Sequence, residues 1–559
     1  MQQLFTREGE ELKGTPWQAY PRPQMVRPDW LCLNGDWIFT AGNRNTKIRV
    51  PFCPESLLSL SGLRPQYGEW MRYERDFTVP ADWAEKRILL HFGAVNRLCE
   101  VLVNGKPAGG HDTGYLPFTL GITDSVKTGE NNLIVRVMND LSTRYPLGKQ
   151  KIRRGGMWYT PCSGIWQTVW LEAVPETYIR ELVITTRGDS VTVTALGVSD
   201  GTLKLGEKTY PLKNGTVTFT PDTVRMWSPE DPYLYRFTLK SGEDSVESYF
   251  ALRTLQIREI RGKKRLCLNG KPYFFHGLLD QGYWSDGLYT PADPQGFERD
   301  IRAVKELGFN TLRKHIKIEP EQFYYDCDRL GMIVFQDMVN NGKYRFLRDS
   351  ALPTARILKK KDRRSNSDPA AREIFLRDME ETVHLLGNHP SICLWTIFNE
   401  GWGQFEADKA YDLLKEMDDT RFVDATSGWF HQKKSDVDSL HIYFDKLHLG
   451  KTDRAQILSE IGGFSCKIEA HSFNPDRTYG YRKYTDREIF AHEMRRHYEE
   501  QVLPLIKEGL CCTIWTQVSD VEDETNGMLT YDRKVQKILP GELTKMRETV
   551  RQYPSMIEE

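Results

Sequence analysis

The chain has 559 residues, more than one ordinary domain holds, with the 39% hydrophobic and 27% charged residues of a soluble globular protein. Lys plus Arg number 76 against 77 Asp plus Glu, so a net charge of −1 offers no field for nucleic acid or an anionic membrane. No stretch has the apolar length of a membrane span, and ten scattered cysteines without a CxxC weigh against metal or redox sites. Reduced thiols suit a cytoplasm, and the opening "MQQLFTREGEELKG" lacks the apolar core of a signal peptide, so a cytoplasmic location is expected.

Residues 1–176 read as β-rich. "WMRYERDFTV", "RILLHFGAV", "CEVLVNG" and "NNLIVRVMND" alternate or cluster apolar residues between Gly, Asn, Asp and Pro, the spacing of a sandwich or jelly roll. A shorter β block at 177–256, with "SVTVTALGV" and "YLYRFTLKS", has the size of an immunoglobulin-like sandwich. The pattern changes in 257–559. "PYFFHGLL" precedes a helix with Phe297, Ile301, Val304 and Leu307 on one face. Then follow "FNTLRKH", "MIVFQDM", "SICLWTIF", "FVDATSG", "SLHIYF", "QILSEI" and "CCTIWTQ", with helices predicted over 373–386, 406–417 and 488–508. Eight short apolar strands alternating with helices predict a (β/α)8 TIM barrel, whose active face lies just after the strands. The basic run "LKKKDRRSNS" in the long 340–370 loop reads as solvated, and such a loop can also shape a pocket or a subunit contact.

Two acids stand at predicted strand ends. "ICLWTIFNEGW" delivers Asn399 and Glu400 after the fourth strand, and "AQILSEIGGF" puts Glu460 before Gly462 and Gly463 at the end of the seventh. Two carboxyl groups facing each other across a barrel mouth are what a configuration-retaining glycosidase needs: one as acid and base, one as nucleophile, and no metal. Trp395 reads as a packing indole, and Trp515 as a core indole or a stacking surface for a sugar. Arg313 and His315 end the second strand, where they could bind hydroxyls, hold Glu460 or serve as buried structure.

At this point the sequence resembles glycoside hydrolase family 2, the family of β-galactosidases, β-glucuronidases and β-mannosidases, over nearly its whole length. "GGMWYTPCSGIWQTVWLE", 155–172, resembles the closing motif of the family's jelly-roll sugar-binding domain, and "LNGDWIF" and "YERDFTVP" its opening strands. "WTIFNEGW" resembles the acid/base signature, which implies Glu400 as acid/base and Asn399 at the sugar 2-hydroxyl. "SEIGG" resembles the nucleophile signature and implies that role for Glu460. The resemblance further implies Arg313, His315, Tyr443 and Trp515 as sugar-site residues, with Asp337 as a less defined acid after the third strand.

Two departures bear on the sugar. Where the family commonly reads "GVNRHE", this chain reads "GLLDQG", with Asp280 and Gln281 in place of an Arg–His pair. Where glucuronidases carry Asn-x-Lys, "DETNGMLTYDRK" sets Glu524 and Asn526, and an acid there would repel a uronate in a dry pocket. The expectation is therefore a retaining exo-β-glycosidase, with a β-galactoside first among substrates and hydroxyls bonded to Asp280, Glu524 or Asn526. Alternatives are β-glucuronidase, β-mannosidase, a furanosidase, or a non-catalytic carbohydrate-binding protein. The expected partner is a carbohydrate, with no nucleic acid, membrane, metal or cofactor. A homo-oligomer is left open, because the family is often oligomeric.

Overall fold

The computed structural model describes residues 1–354, 362, 366–553 and 557. Most of the basic run 358–367 lies outside them. Among the described residues, no helix is long and apolar enough to cross a membrane.

The N-terminal sandwich pairs a six-stranded with a four-stranded antiparallel sheet, using strands between Trp30 and Val174. Its inner faces follow the period of two. In Gly129–Met138 the residues Leu133, Val135 and Val137 are buried, and opposite them Trp70–Val79 buries Met71, Tyr73, Phe77 and Val79. A second sandwich, with strands between Glu181 and Phe250, closes over Val193, Leu203, Leu239 and Val246. A charged junction ties the two together: Arg27 reaches Glu172 of the first sandwich at 3.1 Å and Asp244 of the second at 2.9 Å. Residues 1–29 reach beyond the first sandwich, since Thr6 Oγ1 bonds Asp286 of the third unit at 2.6 Å and Trp17 Nε1 bonds Pro291 O at 2.8 Å.

The third unit is a parallel barrel of β1 (Phe275–Asp280), β2 (Thr311–Lys314), β3 (Ile333–Asp337), β4 (Ile392–Asn399), β5 (Phe422–Ser427), β6 (Val437–Ile442), β7 (Ala455–Gly462) and β8 (Leu510–Thr516). Hydrogen bonding runs from β5 through β1 to β8, β7 and β6, and a parallel bridge between Gly428 and Leu440 closes the ring. Outside it lie α1 (Gln295–Glu306), α2 (Glu321–Leu330), α3 (Pro369–Leu386), α4 (Ala407–Met417) and α5 (Arg487–His497), the last prolonged to Glu508. In α1 the predicted stripe Phe297, Ile301 and Val304 is buried, with Leu307 at the cap. Helix α3 starts at Pro369, with the Asp368 carboxylate capping Ala370 N at 3.1 Å. The hairpin 255–268 sets Leu266 and Leu268 in one buried cluster with Phe275, Phe335, Leu394, Ile457 and Ile514 of the strands.

Candidate active site

The strand ends carry the chemistry. Glu400 follows β4 directly, and its N–H continues the ladder to Ser427 O at 2.9 Å. Its φ of +52°, with Gly401 at +67° and Gly403 at +69°, turns the chain sharply out of the barrel wall. That is a costly backbone for a residue with a Cβ, and it marks a position fixed for reasons other than local preference. Asn399 Oδ1 accepts from Arg313 Nη2 at 2.8 Å.

Glu460 sits inside β7 rather than at its end, and a bulge aims it. Leu440 pairs with Leu458, but the next residue, His441, pairs with Glu460, so Ser459 is the extra residue. The ladder to β8 slips across the same stretch, from Leu458↔Thr513 to Ile461↔Trp515. Glu460 Oε1 accepts from Arg313 Nη1 at 3.1 Å, and Oε2 accepts from the Tyr443 hydroxyl, which also meets Thr516 Oγ1 at 2.9 Å. Arg313 Nε also bonds Asp337 at 3.0 Å, and Asp337 holds His315 Nδ1 at 2.7 Å. One oxygen each of Glu400 and Glu460 and one ring nitrogen of His441 all lie within 4.8 Å of one another.

Burial alone would push the Glu460 carboxyl above its usual range. Interactions with His441, and then with Arg313, His315 and Lys149, more than reverse this and hold the carboxyl at about 2, so Glu460 is ionised. Asp337 is likewise buried yet held below its usual range by Arg313 and His315. Burial, and then the Lys149 charge, lower His315, which is therefore a neutral donor to Asp337. For Glu524 burial wins, offset partly by Lys149, and the carboxyl is pushed up to about 7.

Glu524 and Asn526 lie in the loop after β8. Gln517 Nε2 donates to Glu524 Oε2 at 2.7 Å and to Asn526 Oδ1 at 2.9 Å. Two residues named from the sequence have their own packing and bonds. Trp515 is 0% exposed and points to the helices, stacked on Tyr498 at 5.5 Å and edge-on to Phe464 at 5.0 Å, so it cannot carry a sugar. The adjacent Thr516 faces the mouth instead, because neighbours on a strand face opposite ways. Asp280 has both oxygens committed, one to Gly282 N at 2.8 Å and one to Lys314 Nζ at 2.6 Å, in a buried network with Glu319 and Lys317. These bonds lock the β1–β2 connection.

Several site residues escaped the sequence reading. His441 is one, although it lies two residues before Tyr443, the spacing that puts both on one strand face. The other group comes from the N-terminal sandwich, whose segment 147–160 crosses the barrel mouth. Leu147 N and Gly148 N bond Asn340 O at 3.0 and 3.4 Å, Thr160 N bonds Glu522 Oε1 at 2.9 Å, and Trp158 meets Trp402 edge-on at 5.3 Å. Lys149 rides on this segment, its carbonyl tied to Tyr159 N at 2.9 Å. Its charge is felt by Glu460, Glu524 and His315, yet among the described residues it forms no ion pair or hydrogen bond through its ammonium.

Known proteins resemble the chain in sequence and in fold. Residues 259–456 match the family model "Glycosyl hydrolases family 2, TIM barrel domain", and residues 62–175 match "Glycosyl hydrolases family 2, sugar binding domain", together more than half of the chain. A β-galactosidase of Aeromonas hydrophila is 28% identical over 409 residues, 65% of this chain and 36% of that protein. A β-glucuronidase of Bacteroides fragilis is 25% identical over 444 residues, 70% of this chain and 59% of that protein. Across the curated relatives it matches, this chain spans 36% to 59% of their length. The structure of a β-D-glucuronidase from Dictyoglomus thermophilum superposes with a TM-score of 0.74 at 19% identity, over 95% of this chain and 98% of that one, which speaks to the fold. The chain belongs to glycoside hydrolase family 2.

Proposed function

We propose that this chain is a retaining exo-β-glycosidase. The observation that carries the reading is the carboxylate pair, Glu400 and Glu460, with oxygens within 4.8 Å across the mouth. Retaining glycosidases hold their two carboxyl groups about 5–5.5 Å apart, whereas inverting ones need roughly 6.5–9.5 Å to fit a water. Glu460, ionised and held by Arg313 and Tyr443, attacks the anomeric carbon. Glu400 protonates the departing oxygen, and the C1–O bond breaks as the C1–Glu460 ester forms. Glu400 then takes a proton from water, which releases the sugar with its configuration kept. Asn399, held by Arg313, is the partner for the sugar 2-hydroxyl.

For the sugar, a terminal β-galactoside is the first reading. It is supported by Glu524, Gln517 and Asn526, a hydroxyl-binding set with no lysine between Gln517 and Asn526. A β-uronoside is the second, and a specific observation favours it. The Lys149 ammonium acts on three groups of the site without pairing with any, and Glu524 at about 7 is largely neutral at mildly acidic pH, which removes much of its repulsion of a carboxylate. Relatives bearing β-galactosidase and β-glucuronidase names are consistent with either. A panel of nitrophenyl glycosides (β-galactoside, β-glucuronide, β-galacturonide, β-mannoside, α-arabinofuranoside) decides between them. Release from one sugar, lost in Glu460→Gln, supports the glycosidase; unchanged release in that variant contradicts it.

A further inference from the structure

We infer that His441 is a positioning residue for the acid/base, holding one oxygen of Glu400 so that the other carries the proton to the leaving group. The inference rests on the role proposed above for Glu400. The His441 side chain is 0% exposed, and every polar edge of its ring is engaged. Nδ1 lies 2.9 Å from Glu400 Oε1. Nε2 lies 3.0 Å from Ser427 Oγ, 3.3 Å from Arg313 Nη1 and 3.5 Å from Glu460 Oε1. The Trp429 ring packs against the imidazole at 5.6 Å. The β7 bulge that aims Glu460 also makes His441 its register partner, so both acids are referred to one ring.

The donors around the ring set its tautomer. A guanidinium N–H can only donate, so a neutral ring facing Arg313 accepts at Nε2 and carries its single proton on Nδ1. The Ser427 hydroxyl, which also reaches Ser459 Oγ at 2.9 Å, can turn to either neighbour. The Nδ1–H then points at Glu400 Oε1. An acid whose Oε1 accepts from the ring keeps its proton on Oε2, the oxygen left for the glycosidic bond. Once that proton has moved to the leaving group, the same N–H stabilises the Glu400 carboxylate until water restores the proton. The charged groups facing the ring are Glu400 after β4, Glu460 on β7, Arg313 on β2 and Asp424 on β5. Arg313 balances Glu460, so the Glu400 bond is the contact that the ring tunes.

The sign follows. An N–H donor favours ionised Glu400, and its removal makes the acid harder to ionise. In His441→Phe, the alkaline limb of kcat/KM for an unactivated phenyl glycoside should rise by about one pH unit, and its kcat should fall roughly 10- to 100-fold. The dinitrophenyl glycoside of the same sugar, whose departure needs no acid, should keep its rate within about threefold. His441→Asn, which retains an N–H near the Nδ1 position, should recover most of the limb position. Equal losses on both substrates with unmoved limbs would make His441 merely structural and overturn the inference. A measurement without turnover covers a variant that does not fold. In the wild type, nitrogen-15 NMR of labelled histidine should show the His441 ring protonated at Nδ1 and bare at Nε2, and the opposite tautomer overturns the inference. Failure of the glycosidase reading looks different: the wild type then cleaves nothing in the panel, whatever the ring tautomer is.

Discussion

Inside the barrel mouth, charge balance sets what each acid does. Glu460 is buried, yet His441, Arg313, His315 and Lys149 around it hold it at about 2, so its ionised form stabilises the fold above the usual carboxylate range near pH 4.5. That contribution is lost as pH falls from about 4.5 through 2. Glu524 has the opposite sign. Its folded carboxyl is raised to about 7, so its contribution is fully present below pH 4.5 and is lost as pH rises through 7. The shift amounts to on the order of 3 kcal/mol between those limits. Glu524→Gln should therefore gain stability relative to the wild type between pH 5 and 8, read from thermal midpoints across that range. A constant difference across the range would show that Glu524 does not titrate there. Glu400 has a separate signature. Glu400→Ala should lose about 10²- to 10⁴-fold on an unactivated glycoside, and added azide should restore turnover of the dinitrophenyl glycoside through a β-glycosyl azide. No azide product would argue that the side chain at 400 does not guard the second step.

At the scale of elements, β7 is the device that matters. Its bulge at Ser459 brings Glu460 opposite His441, and two glycines then let the chain pass under bulky neighbours. A Cβ on Gly462 would stand 2.4 Å from the Trp515 ring at a φ of +76°. Gly462→Ala should cost about 2–4 kcal/mol, combining left-handed strain with overpacking, and lower the thermal midpoint by several degrees. A midpoint within a degree of the wild type would mean that the Trp515 packing yields.

The same strands show what was legible beforehand. The eight barrel strands, the amphipathic α1 and both acids could be read from local pattern, because strand ends in this fold open onto one face. The bulge could not, since it depends on register with β6 and β8, far away in sequence. Trp515 and Thr516 are adjacent, and a period of two cannot say which faces the mouth until the helix side is known. The ion pair of Asp280 was hidden for a similar reason: its partner Lys314 stands beside it only once β1 and β2 pair. His441 could have been found, since Tyr443 at i+2 already pointed to the mouth.

On the scale of the whole molecule, the site belongs to two units. The segment 147–160 of the N-terminal sandwich lies over the barrel, anchored by Arg154 to Glu522 at 3.3 Å and by Leu147 to Asn340. Nothing in the local pattern of "LGKQKIRRGG" assigned it to the barrel mouth, because the contact exists only when the units dock. Lys149 makes this placement testable. If the substrate carries a carboxylate, Lys149→Met should raise KM for the uronoside about tenfold or more and leave a neutral glycoside within about twofold. Equal effects on both sugars would remove Lys149 from sugar selection.

The central claim, that Glu460 forms a glycosyl ester, is tested most directly by trapping it. The protein would be treated with the 2-deoxy-2-fluoro dinitrophenyl glycoside of the sugar that the panel identifies, and its peptides analysed by mass spectrometry. One sugar mass should be added per chain, on the peptide holding Glu460, with turnover lost in step. Stoichiometric labelling at Glu400 or Glu524, or continued turnover with no covalent adduct, would contradict it.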